Sequence, residues 1–116
     1  MHAFLRLAIK QAERSPCRFR VAAVLVRGSR VLTHATNIQR NSPTTDFRHA
    51  TFHAEEVLLR RTRRAHGSVV YVARVGKNGA PMMARPCPRC QKVLVSCGIT
   101  VAHYTTEDGP RTLHMA

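Results

Sequence analysis

Residues 19–37 read FRVAAVLVRGSRVLTHATN. Two β-rich runs, FRVAAVLV and RVLTHATN, flank RGSR, so the stretch predicts a β-hairpin with Gly28 in its turn. The rest of the chain is punctuated around that hairpin. Upstream, Leu5, Ala8, Ile9 and Ala12 recur at helical spacing, which predicts a helix over 4–14. Pro16 ends it, because a proline pushes the residue before it out of helical geometry. This N-terminal segment is amphipathic rather than continuously apolar and runs at once into a strand. It is therefore expected to be a packed first helix, not a signal or transit peptide.

Downstream, residues 38–50 (IQRNSPTTDFRHA) are expected to form a loop, being rich in Asn, Ser, Pro and Thr. Residues 51–64 (TFHAEEVLLRRTRR) read as one helix. GSVVYVARV (67–75) reads as a strand apolar on both faces and hence buried. GKNGAPMMARP (76–86) is expected to be a loop. CPRCQKVLVSCG (87–98) reads as a third helix, opened by Pro88 and stopped by Gly98. ITVAHYTT (99–106) is a fourth strand, EDGP (107–110) a turn, and RTLHM (111–115) a short fifth strand or a tail. The order αββαβαβ predicts one layered α/β or α+β sandwich without repeats or linkers, a single domain over 1–116.

Composition sets the outer bounds. The chain has 116 residues, 44% hydrophobic, enough for one modest core. No run approaches ~18 apolar residues, so no membrane partner is expected. With no secretory signal expected, the four cysteines do not suggest a disulfide framework, and a reducing cytoplasm is the expected compartment. Lys and Arg total 19 against 6 acidic residues, a net charge of +13, and sixteen of the bases are arginine. Such a balance favours anionic partners, nucleic acid foremost. Compositional bias combined with solvated faces explains the same numbers.

The chemistry lies in two short stretches. His53 and Glu55 sit two apart near the start of the second helix, and Cys87 and Cys90 have C-x-x-C spacing at the start of the third. His53, Cys87 and Cys90 make three soft or borderline ligands, one short of a tetrahedral zinc shell, and catalytic zinc sites leave the fourth position to water. Glu55 is too close to His53 for both to be relaxed ligands of one ion, but it suits a general acid–base. H-x-E followed by P-C-x-x-C is the signature of zinc deaminases. The sequence carries both halves, HAE at 53–55 and PCPRC at 86–90. A rival arrangement adds His49, four residues before His53, to the two cysteines as a closed structural Cys₂His₂ site. That would make a nucleic-acid-binding module without chemistry, and it leaves Glu55 unexplained.

With these motifs the sequence resembles the zinc-dependent cytidine and deoxycytidylate deaminase superfamily. Within it, the chain is similar to the small single-domain members often carried by bacteriophages. The resemblance implies a three-layer α-β-α sandwich with a mixed central sheet of four to five strands and two helix N-termini meeting at Zn²⁺. It implies that Asn37, at the end of the second strand, contacts substrate and that the backbone N–H of Ala54 meets the base carbonyl. It also implies Glu55 as the catalytic proton carrier, and His53, Cys87 and Cys90 as the metal ligands. Few residues follow the fourth strand, so the last strand and helix of larger members are expected to be shortened or missing.

The implied reaction is hydrolytic deamination of cytosine to uracil. The substrate is a cytosine-containing anion, and the basic charge tips the expectation towards single-stranded nucleic acid. A free deoxycytidylate or cytidine is the alternative, and adenosine in tRNA a weaker one. The oligomeric state stays open, a homo-oligomer included. Arg40, Arg48, Arg85 and Arg89 are expected at the mouth of the site, where arginine suits phosphate. Arg60, Arg61, Arg63 and Arg64 would lie more than ~10 Å from the zinc end of their helix at ~1.5 Å per residue, too far for the reacting nucleotide's own phosphate. Phe47, Phe52 and Tyr104 are the aromatic residues available to stack on a base, with a core role equally open to the last two. Cys97 is expected to be a buried thiol and Cys17 a loop or core thiol.

Overall fold

The hairpin forms as its sequence predicts. Strand β1 (Arg20–Arg27) pairs antiparallel with β2 (Arg30–Thr36), in a register running from Ala22↔Thr36 to Arg27↔Arg30. Gly28 occupies the turn at φ 62°, a backbone region that favours glycine. The computed structural model describes residues 3–15, 20–39, 51–52 and 66–115.

The sheet grows from the hairpin. Strand β5 (Val69–Val75) lies antiparallel to β1 along its whole length, Arg20↔Val75 to Val26↔Val69. Its other edge pairs in parallel with β7 (Val101–Tyr104), Val69↔Val101 to Val72↔Tyr104. Strand β8 (Arg111–His114) closes that side antiparallel to β7. RTLHM is thus a strand rather than a tail. A short β6 (Pro81–Met82) pairs with the end of β5, giving a mixed six-stranded sheet in the order β2-β1-β5-β7-β8, with β6 off that path.

Three segments expected to be loop or helix carry short strands instead. The extra strand β6 comes from the segment expected to be a loop over 76–86. Gly76 N–H donates to Ala80 O at 2.9 Å, folding the chain back on itself. Pro81, which has no N–H to give, takes an edge position where none is required. The second pair is β3 (Ile38–Gln39) and β4 (Thr51–Phe52), in the register Ile38↔Phe52 and Gln39↔Thr51. β-Branched and aromatic residues favour extended backbone, so the helix expected from residue 51 cannot begin before residue 53. Residues 53–64 of that expected helix lie outside the described residues.

Strand alternation sends side chains to two faces. On one, Val24, Val26, Tyr71 and Ala73 pack with Leu5 and Ala8 of helix α1 (Ala3–Ala12). On the other, Ala23, Leu25, Val70 and Val72 pack with Ile99, Tyr104 and Leu94, the last on helix α2 (Pro88–Ser96). The described helices therefore cover opposite faces, and the three-layer α-β-α arrangement follows. Leu5 and Leu94 are 1% and 0% exposed, each contributing about 1.5–3 kcal/mol of apolar burial. None of the described helices is long and apolar enough to cross a membrane.

Helix α2 ends in a Schellman motif. Gly98 N–H donates to Val95 O at 2.9 Å and Ile99 N–H to Leu94 O at 3.0 Å. Leu94 and Ile99 meet in the core at the same point. Gly98 is at φ 83°, and a Cβ there would stand 2.9 Å from the His66 Cα and collide with the His66 ring. Gly98→Ala should therefore destabilise the fold by at least the ~1–2 kcal/mol of a left-handed non-glycine residue. Urea unfolding measures this, and His66→Ala should restore only part of the loss, because the backbone contact remains. An unchanged midpoint would contradict this account of the cap.

Candidate functional site

Asn37 is the first of the expected site residues. It follows β2, whose last pairing is Thr36↔Ala22, and Ala22 in turn faces Ala73 near the carboxyl end of β5. The carboxyl ends of parallel strands are where α/β sheets bind ligands. Asn37 is 5% exposed. Its backbone N–H donates to Val21 O at 3.0 Å. Its side-chain Oδ1 accepts from Val21 N–H at 3.0 Å and from Ser15 Oγ at 2.6 Å. The carboxamide oxygen thus takes the next rung of the β1–β2 ladder, where the main chain leaves β2 for β3. The Ile38↔Phe52 register begins one residue after Asn37, so β4 ends at the same level.

The cysteines are delivered to the same end of the sheet. Thr105, directly after β7, bonds through its N–H to Val72 O at 3.1 Å and accepts the Ala84 N–H at 2.9 Å on its carbonyl. Its fully buried hydroxyl donates to Met82 O at 2.8 Å and accepts from Arg74 N–H at 3.1 Å. Thr105 therefore clamps the approach to α2 against the ends of β5 and β7. Gln91 Nε2 donates to Pro86 O at 2.8 Å and fixes the last step before the helix. Cys87 is then the N-cap and Pro88 opens the first turn. Cys87 is half-buried, Cys90 is buried, and neither forms a disulfide.

Two thiols at C-x-x-C spacing on the first turn of a helix are the donor chemistry that zinc takes, so this half of the site fits the metal. The described residues contain no cluster of three or more His, Cys, Asp or Glu able to hold an ion. His53, Ala54 and Glu55 lie outside the described residues, as do His49, Arg40, Arg48, Phe47, Cys17 and the Arg60–Arg64 group. Arg85 and Arg89 are exposed on either side of Cys87.

The structure decides between open readings of some residues and corrects one. Tyr104 is 8% exposed within the core cluster and is not a stacking platform for a base. Cys97 is half-buried at the C-cap of α2 rather than fully buried within the helix. His34, His66 and His114 are exposed. His103 stacks on Tyr71 with ring centroids 4.9 Å apart, and burial holds the Tyr71 phenol above its ordinary pKa. Sequence reasoning missed Ser15 and Thr105. Ser15 was visible only as a polar residue before a proline, and Thr105 carried no signal, because its partners are far away in sequence.

The chain belongs to the family described as the cytidine and deoxycytidylate deaminase zinc-binding region, whose model matches residues 1–106. It is accordingly a Zn²⁺-dependent hydrolytic deaminase acting on C–N bonds of cyclic amidines. Among solved structures, it is similar to the cytidine deaminase from Burkholderia pseudomallei, with a TM-score of 0.72 and 19% identity over 98% of this chain and 93% of that one. It is also similar to the dCMP deaminase from the cyanophage S-TIM5 in its apo form, with a TM-score of 0.66 and 23% identity over 88% of this chain and 79% of that one. The S-TIM5 dCMP deaminase in complex with dCMP and dUMP gives a TM-score of 0.67 and 22% identity over 88% and 77%. At these identities the likeness establishes the fold. No curated protein matches the chain.

Proposed function

We propose that this chain deaminates the cytosine of a free nucleotide or nucleoside, with deoxycytidylate the foremost substrate. The observation that carries this reading is the family match over residues 1–106, whose namesake substrates are monomers. The S-TIM5 dCMP deaminase bound to dCMP and dUMP adds support. This reading replaces the expectation of single-stranded nucleic acid, which rested on the net charge of +13. Charge favours anionic ligands without distinguishing a polymer from a monomer, and exposed Arg85 and Arg89 suffice for one phosphate.

In this reading His53, Cys87 and Cys90 hold Zn²⁺. The metal, when bound, supplies a water activated for attack near neutral pH. Glu55 would carry one proton from the attacking water to the ring nitrogen and a second, from the hydroxyl added at C4, to the departing ammonia. Water enters at C4 and ammonia leaves, giving uracil. The Ala54 N–H donates to the base carbonyl, and the Asn37 amide orients the nucleoside. Asn37 at the end of β2, level with the carboxyl end of β5, and the clamping of the Cys87 approach against the ends of β5 and β7 support this grouping.

The test is a deamination screen over deoxycytidine, deoxycytidylate, cytidine, and single-stranded DNA and RNA. Deoxycytidylate should be turned over best. Replacing Arg85 and Arg89 together with alanine should cost it roughly ten-fold in kcat/KM, the scale of a charge-assisted hydrogen bond, while sparing deoxycytidine. Uracil formed only in oligonucleotides, with a binding slope of about −2 or steeper in log K against log salt, would overturn the proposal in favour of the polymer.

A further inference from the structure

We propose that Ser15 is a positioning residue for the deamination, acting through Asn37; this rests on the reading of Asn37 as a substrate-binding residue. Its hydroxyl bridges both carbonyls of Asn37, lying 2.6 Å from Oδ1 and 3.2 Å from the backbone O. The orientation of the amide follows from chemistry. A backbone N–H can donate only to an acceptor, so the atom 3.0 Å from Val21 N is the amide oxygen. The amide NH₂ therefore lies on the opposite side and can offer only donors. A substrate group that it meets must therefore be a hydrogen-bond acceptor.

Val21 sets which way the amide faces, and Ser15 restrains how far it can turn. The terminal torsion of asparagine is broad when nothing holds it. A second hydrogen bond to the same oxygen narrows it, the kind of support that keeps a binding group in productive geometry.

The local fold explains why Ser15 is available. Helix α1 ends at Ala12 and tightens into i→i+3 bonds, Arg14 N–H to Gln11 O and Ser15 N–H to Ala12 O, both at 3.0 Å. That turn, just before Pro16, places Ser15 at the sheet end where β1 starts and β2 stops. Ser15 is 7% exposed, and a buried hydroxyl needs an acceptor. Here the acceptor is a side chain of the proposed site, contributed by an element 22 residues away.

The experiment compares kcat, KM and melting temperature for Ser15→Ala, Ser15→Thr, Asn37→Ala, Asn37→Asp and the Ser15→Ala/Asn37→Ala double variant, with Ser15→Cys replacing Ser15→Ala if the latter does not fold. Ser15→Ala should lower kcat/KM about ten-fold, the scale of one lost hydrogen bond, and Ser15→Thr should recover most of it. Asn37→Asp keeps an oxygen facing Val21 and Ser15 but has no NH₂, so it should hold its melting temperature and lose activity as far as Asn37→Ala does. The double variant should be no worse than Asn37→Ala alone, because residues acting as one unit are not additive. A double variant that multiplies the two single losses overturns the proposal, as does a Ser15→Ala enzyme of full activity beside a crippled Asn37→Ala. Full activity in both Asn37 variants would sink the reading of Asn37 itself, and Ser15 with it.

Discussion

Glu55→Ala should lower turnover by at least the ~10²–10⁴-fold that general acid–base transfer supplies, while the protein keeps one zinc per chain and its fold. The chain has only six acidic residues. Glu13, Glu107 and Asp108 are exposed, and the proposed mechanism assigns the proton transfers to Glu55, two residues from His53. Glu56 is the internal control, since its alanine variant removes the same charge from the next position and should change turnover by no more than a few-fold. A Glu55→Ala enzyme retaining a tenth or more of wild-type turnover would refute the assignment. His49→Ala separates the remaining alternative. In the catalytic arrangement it keeps zinc and activity. Loss of zinc from that variant, with no activity in any form of the protein, would establish the closed Cys₂His₂ site instead.

How far the sequence could be read depended on how local the relevant interactions are. The β1–β2 hairpin, α1 and α2 were legible because periodicity, a turn glycine and a first-turn proline are local signals. The β3–β4 pair was hidden for the opposite reason. Ile38 and Phe52 pair across 14 residues, and two-residue strands are too short to show alternation. Thr51 and Phe52 were absorbed into the helical pattern that follows them. Strand β6 was lost to the Gly- and Pro-rich composition of its loop. The placement of Cys87 and Cys90 on a helix start was legible because C-x-x-C with a first-turn proline is compact. Asn37 was reached through resemblance, yet the way its amide is held was not, because Ser15 and Val21 come from other elements. Tyr104 could not be assigned from sequence, since an aromatic residue in an alternating strand serves a core and a binding surface equally well until the sheet's neighbours are known.

Removing a proposed metal thiol should produce the other large effect. Cys90 is 0% exposed in the first turn of α2, and Cys90→Ser should reduce zinc from one per chain to a small fraction. A ligand bound by the folded state alone at ~1,000 times its Kd stabilises by about 4 kcal/mol. At roughly 4 °C per kcal/mol for a chain of this size, Cys90→Ser should melt about 15 °C below wild type. Chelation of the wild-type protein should produce the same shift, and chelator added to Cys90→Ser should change nothing further, because both remove one interaction. The loss should be local at first. The far end of α2 is held by the Gly98 cap and by Leu94 and Ile99 in the core, whereas the Cys87 end depends on the Thr105 clamp, Gln91 and the metal. Amide exchange should therefore accelerate over residues 83–91 before it does in β1 and β5. Cys97→Ser is the control. Cys97 lies about 10 Å along the helix from Cys90 at ~1.5 Å per residue, too far to share an ion, so its replacement should leave zinc content unchanged. If Cys90→Ser retains its zinc, or chelation leaves the wild-type melting temperature where it was, Cys90 is not a ligand and the metal half of the site has been misassigned.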